Sequence, residues 1–172
     1  MALTSLLSLA SCKKDPPPPP PDPDAWKIEA AKLTPFLPPV LGPCMSTATA
    51  KTAGGPHAKG GTEYEASRPY ECSGRVMQLA IHGGNISSYP SESGGQGNFG
   101  SDSTTKYKDV MLGGGRGILM MDPGKSELIL VLGTRFAVTA SLIDPAPPDE
   151  VIPIVNKLDF TGLAKIIPAQ LP

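Results

Sequence analysis

Three cysteines and two histidines are the residues of this chain with the clearest capacity for chemistry: Cys12, Cys44, Cys72, His57 and His82. Thiolates and imidazoles are the ligands that Zn²⁺ prefers in proteins. The four candidate ligands that follow Cys12 in the chain lack the closely spaced pairs that known zinc motifs share. The spacing therefore argues against a metal site, and the sequence predicts no cofactor.

Catalytic motifs are equally hard to find. Neither His57 nor His82 has a carboxylate or a nucleophile at a spacing typical of catalysis, so we expect packing or surface roles for both and no enzyme activity. The glycine-rich run at 113–117 could bring backbone N–H groups close to a phosphate, but a bend between strands explains it more simply. A net charge of −1 argues against a nucleic-acid partner.

The N-terminus carries the most specific pattern. A short apolar stretch ends at Leu9-Ala10-Ser11-Cys12, and it is far too short to span a bilayer. These four residues resemble the lipobox of bacterial lipoproteins. The resemblance implies cleavage before Cys12 and a lipid attached to its thiol. Because no Lys or Arg precedes Cys12, we expect the signal peptide to begin further upstream with basic residues.

A proline-rich segment follows the lipobox. Six consecutive prolines at 16–21 predict an extended polyproline II rod within a linker over residues 12–24, after a signal peptide over 1–11. The family resemblance implies a membrane anchor, with Lys13 in place of the aspartate that favours inner-membrane retention. In a Gram-negative cell this predicts the outer membrane, with the domain facing the periplasm and an envelope protein as a candidate partner.

The same resemblance assigns the remaining cysteines. If Cys12 carries lipid and the chain faces an oxidising envelope, Cys44 and Cys72 are predicted to form a disulfide. This bond would connect the proline-rich end of the first helix to the first hairpin. Two free thiols remain the main alternative.

Hydrophobic periodicity predicts one α+β domain over residues 25–172. We expect an antiparallel meander of five to six strands, with an N-terminal and a C-terminal helix packed on one face. The expected helices lie at 25–33 and from Val151 onward, with loops at 45–62 and 83–105. The expected strands lie at 63–71, 74–82, 106–112, 116–121, 126–132 and 135–142.

The stretch from Gly133 to Ile166 is similar to the closing strand and helix of small exported lipoproteins of unknown function, which implies a fold and no activity. We therefore predict a membrane-anchored envelope lipoprotein with a non-catalytic binding or structural role. The alternatives are a small-ligand-binding lipoprotein, with its pocket between sheet and helix, and an envelope hydrolase without a recognisable motif. A cluster of ionisable groups converging in one pocket would favour the hydrolase.

Overall fold

A computed structural model describes residues 25–57, 60–90 and 104–166. The lipobox, the proline-rich linker and much of the expected loop at 83–105 lie outside these residues. Within the described ranges, none of the helices has the length and apolar character needed to cross a membrane.

The described residues form three short α-helices and nine strands. The helices are α1 Ala25–Leu33, α2 Val151–Val155 and α3 Phe160–Lys165, and a 3-10 turn at Thr34–Phe36 follows α1. The strands are β1 Val40–Leu41, β2 Cys44–Ser46, β3 Lys51–Pro56, β4 Thr62–Cys72, β5 Arg75–Gly84, β6 Lys106–Leu112, β7 Gly115–Asp122, β8 Lys125–Leu132 and β9 Phe136–Ile143. The described part of the chain is thus mostly antiparallel sheet with a few helices.

The strand count corrects the expectation of five to six. The three additional strands are β1, β2 and β3, and the latter two lie largely in the segment expected to be a loop at 45–62. Strand β3 pairs with β4 from Lys51↔Ser67 to Pro56↔Thr62. Its side chains are small or exposed, so the sequence gives no alternation of apolar and polar residues. Backbone pairing with a long neighbour creates this strand, and local periodicity cannot reveal such pairing.

Strand order is a second correction. A simple meander would place consecutive strands side by side throughout, whereas the observed order is β1-β2-β4-β5-β9-β8-β7-β6. After β5 the chain crosses to the far edge of the sheet and returns strand by strand, so that β9 pairs with β5. The expected tight turns are confirmed, including Pro123-Gly124 between β7 and β8.

One face of the sheet carries the core, and we call it the inner face. Alternate residues of β5, namely Met77, Leu79 and Ile81, are fully buried there, as the period of two predicts. Helix α1 packs Ala30 and Leu33 against the same core. The helices thus cover the inner face, and the opposite face, here called the outer face, carries most of the polar side chains.

The C-terminal helical stripe forms two short helices instead of one. Val151 and Ile154 are buried from α2, and Leu163 is buried from α3. The break lies at Asp159, whose carboxylate accepts a hydrogen bond from the Gly162 N–H at 2.7 Å and caps α3. A bidentate ion pair between Arg75 and Glu150 joins the β4–β5 hairpin to the start of α2.

The predicted disulfide is present. Cys44 of β2 lies directly opposite Cys72 of β4, with a Cα–Cα distance of 4.1 Å, and both residues are fully buried. The bond attaches the short edge strands β1 and β2 to the end of the long strand β4.

Removing this bond should destabilise the domain. We expect Cys44→Ala/Cys72→Ala to lower the free energy of unfolding by about 2–4 kcal/mol, because the cross-link restricts the unfolded chain. Urea unfolding of the oxidised protein measures this loss, and Cys12→Ala should leave the midpoint unchanged. Two freely titrating thiols in native protein would contradict the assignment.

Candidate functional site

A polar cluster occupies the outer face near the end of β5. Residues 85–90 fold back over the sheet, with Ile86 buried and the Tyr89 ring lying 4.8 Å from the His82 ring between centroids. His82 itself is only 7% exposed, which is unusual for an imidazole on the face opposite the helices. The segment after β5 is therefore a cover for His82.

Hydrogen bonds link four side chains of this cluster in a row. His82 Nε2 lies 3.0 Å from Thr139 Oγ1, and His82 Nδ1 lies 2.9 Å from the Tyr89 hydroxyl. Tyr89 donates its proton to Glu63 Oε1 at 3.0 Å. With that proton committed, the Tyr89 oxygen can only accept from His82. We infer the neutral tautomer with the proton on Nδ1, so that Nε2 accepts from Thr139.

Two further ionisable groups border this row. Glu65 Oε2 lies 3.5 Å from His82 Nδ1, and His57 Nε2 lies 3.8 Å from Glu63 Oε2. The side-chain amide nitrogen of Asn85 lies 3.3 Å from His57 Nδ1 and donates to the Gly60 carbonyl. Both histidines thus lie beside carboxylates, which the sequence expectation for His57 and His82 did not include.

Burial sets the protonation of the cluster. The low-dielectric environment lowers the pKa of His82, and the neighbouring charges of Glu65 and Glu63 offset only part of this effect. Burial also raises the pKa of Tyr89, as does its hydrogen bond to Glu63. A neutral His82 and a protonated Tyr89 match the donor order inferred from the distances.

The cluster has part of what a hydrolase needs. Thr139, His82 and Glu65 follow the order of nucleophile, base and carboxylate. Strand β9 nevertheless pairs with β5 on one side and β8 on the other, so the backbone N–H groups around Thr139 are committed to the sheet and cannot bind an oxyanion. The observed contacts instead fix residues 85–90 onto the sheet.

The buried histidine makes stability depend on pH. Because its pKa is lowered in the folded state, the unfolded chain takes up the proton first as the pH falls below the ordinary value of 6.5. The free energy of unfolding should therefore fall between about pH 7.5 and about pH 5.5 more steeply in wild-type protein than in His82→Gln. Tyr89→Phe keeps the ring over His82 and should retain the wild-type slope. Equal slopes in wild type and His82→Gln, measured by urea unfolding, would refute this account.

A cavity of about 500 Å³, here called the end pocket, lies where two turns of the sheet meet α3. The β6–β7 turn contributes Gly113 and Gly114, and the β8–β9 turn contributes Gly133, Thr134 and Arg135. Both turns lie at the same end of the sheet, because β6 to β9 are consecutive antiparallel neighbours. Apolar side chains form the walls: Leu132, Phe136, Phe160 and Ala164.

Glycine is required where the end pocket meets α3. Gly113 has a φ of +58°, and a Cβ there would collide with the Phe160 ring. Gly114 has a φ of +80° and no neighbour within 4 Å of a Cβ position. The absence of a side chain at Gly113 lets Phe160 pack against the turn. The absence of a side chain at Gly114 leaves this side of the end pocket open to solvent. The glycine run is thus a turn between strands, as expected, and it also lines a cavity.

The structure does not bring the cysteines and histidines considered in the sequence together as one site. Cys44 and Cys72 are bonded to each other within the core, so the alternative metal set with His57 and His82 loses both sulfur ligands. Cys12 lies outside the described residues. Among the residues that the structure does describe, no group of three or more His, Cys, Asp or Glu side chains is arranged to hold a metal ion.

The sequence predicts neither the polar cluster nor the lining of the end pocket, because the residues of each site come from separate elements. The polar cluster combines β4, β5, β9 and the segment at 85–90, and the end pocket combines two turns and a helix. No protein-family model, curated protein or solved structure matches this chain. The geometry itself is therefore the basis for inferring function.

Proposed function

We propose that this chain is a lipid-anchored protein of the cell envelope whose sheet domain binds a small organic molecule in the end pocket without catalysing a reaction. The observation that carries the binding role is the cavity of about 500 Å³ between the sheet and α3. Small-molecule sites in proteins commonly occupy 300–1,000 Å³ and have mostly apolar walls. The pocket between sheet and helix matches the ligand-binding alternative that the sequence left open.

The lining of the end pocket supports binding in preference to catalysis. Its described residues are glycines, apolar side chains, Thr134 and Arg135. General acid–base chemistry draws mainly on His, Asp, Glu or Lys, and a hydroxyl nucleophile such as that of Thr134 needs such a base beside it. The described lining contains none of these bases. The ionisable cluster around His82 lies on the outer face, where it fixes residues 85–90.

The lipobox motif and the proline-rich linker support the anchoring role. Helix α1 begins at Ala25, directly after the predicted linker over residues 12–24. A polyproline II rod rises about 3.1 Å per residue, so a linker of this length would hold the domain about 35–40 Å from the membrane. The domain would then sample ligands in the aqueous space of the envelope.

Lipid attachment is tested in the native host. Protein expressed from its own gene in that host should incorporate an alkyne-tagged fatty acid and fractionate with membranes. Cys12→Ala should lose both properties, because the acceptor thiol is gone, whereas Lys14→Ala should keep them. A wild-type protein that takes up no fatty acid and fractionates as soluble would overturn the anchor.

Ligand binding is tested with a neutral apolar probe, phenylnaphthylamine, whose fluorescence rises on burial. The full chain carrying Cys12→Ala avoids competition from attached lipid. Ala164→Trp places an indole on the wall of the end pocket and should weaken binding at least about ten-fold. Thr161→Trp adds the same bulk to an exposed position of α3 outside the lining and should bind normally. Equal binding by both variants would place the probe elsewhere.

A further inference from the structure

Arg135 is the one charged side chain among the described residues that line the end pocket. It is exposed in the β8–β9 turn, and no hydrogen bond or ion pair from its side chain is found in the described part of the chain. Arg75, by contrast, is held by Glu150. A guanidinium presents a planar fork of donors that matches the two oxygens of a carboxylate or sulfonate.

The rest of the lining complements this charge. Leu132, Phe160 and Ala164 supply an apolar wall beside the arginine, and the described lining contains no acidic side chain to neutralise it. At Gly133, as at Gly114, nothing lies within 4 Å of a Cβ position, so both turns are open on this side. Arg135 itself is exposed to solvent. The end pocket therefore combines an apolar interior with an accessible cation at its mouth.

We propose that the end pocket binds a small organic monoanion, its apolar body against Phe160 and Leu132 and its anionic head on the Arg135 guanidinium. This assignment of ligand class rests on the proposed binding function. The apolar wall favours a hydrocarbon or aromatic body, and the single guanidinium favours one negative charge over the several charges of a phosphorylated ligand such as a nucleotide. Thr134, beside Arg135 in the same turn, offers a hydroxyl donor to the same head group.

Two probes that differ by one sulfonate group test the ligand class. Anilinonaphthalene sulfonate carries one sulfonate on the same ring system as the neutral phenylnaphthylamine. The full chain with Cys12→Ala, its Cys44–Cys72 bond verified by thiol titration, should bind the sulfonate more tightly than the neutral probe. Arg135→Gln should weaken sulfonate binding about five-fold more than it weakens neutral binding, because only the sulfonate loses a charged contact.

Matched variants separate a charge contact from a general effect. Arg135→Lys should restore part of the sulfonate affinity, since a point charge remains. Lys51→Gln removes an exposed charge on β3, outside the pocket lining, and should behave as wild type. Ala164→Trp should weaken binding of both probes, and thermal unfolding verifies that each variant is folded.

The outcomes distinguish the two proposals. Equal affinity for both probes, with Arg135→Gln unchanged, would overturn the anionic ligand class and leave the binding function standing. An equal loss of both probes in Arg135→Gln would show that the arginine only shapes the pocket, which also overturns the class. The binding function itself is wrong if neither probe binds the wild-type protein, or if Ala164→Trp weakens the binding of neither probe.

Discussion

Strands β5 and β9 lie side by side at the centre of the sheet, and their pairing joins the strands β1 to β5 to the strands β6 to β9. Residues from Met77↔Leu142 to Gly83↔Phe136 form the contact. The register places Leu79 and Ile81 on the same face as Ala140 and Val138, so both halves contribute to one core. A slip of β9 by one residue would turn Ala140 and Val138 to the outer face, while Leu79 and Ile81 stay in the core.

Both candidate sites follow from this central pairing. It brings Thr139 of β9 next to His82 of β5 and thereby completes the polar cluster on the outer face. It also fixes the direction in which β6 to β9 return across the sheet, which places the β6–β7 and β8–β9 turns at one end. Helix α3 begins at the Asp159 cap and contributes Phe160 and Ala164 at that end. The end pocket is the space that these elements leave between them.

Much of the local structure could be predicted from sequence. Helix α1 and strand β6 have the expected bounds, because strong helix formers and alternating residues act locally. The long-range arrangement could not be predicted, since β3 has exposed, glycine-rich residues and depends on β4 for its hydrogen bonds. The disulfide is the exception among long-range contacts, because its prediction came from compartment and cysteine count.

The candidate sites show the same limit. His82 has no carboxylate at a catalytic spacing along the chain, yet Glu65 reaches it from the neighbouring strand and Glu63 of the same strand reaches Tyr89. Arg135 belongs to a turn that was expected, but its position beside Phe160 depends on how α3 packs. Turn residues and hydrophobic periodicity predict the individual strands and helices. Which of their ends lie next to each other depends on the order of strands in the whole sheet, which these local signals do not determine.

The most direct measurement is amide chemical-shift mapping of the isotope-labelled full chain titrated with decanoate, a monoanion with an apolar body. The account predicts that shifts concentrate at both turns and α3, at Gly114, Gly133, Arg135 and Ala164, and saturate as for a single site. Shifts centred on His82 and the outer face, or no saturable shifts at all, would contradict it.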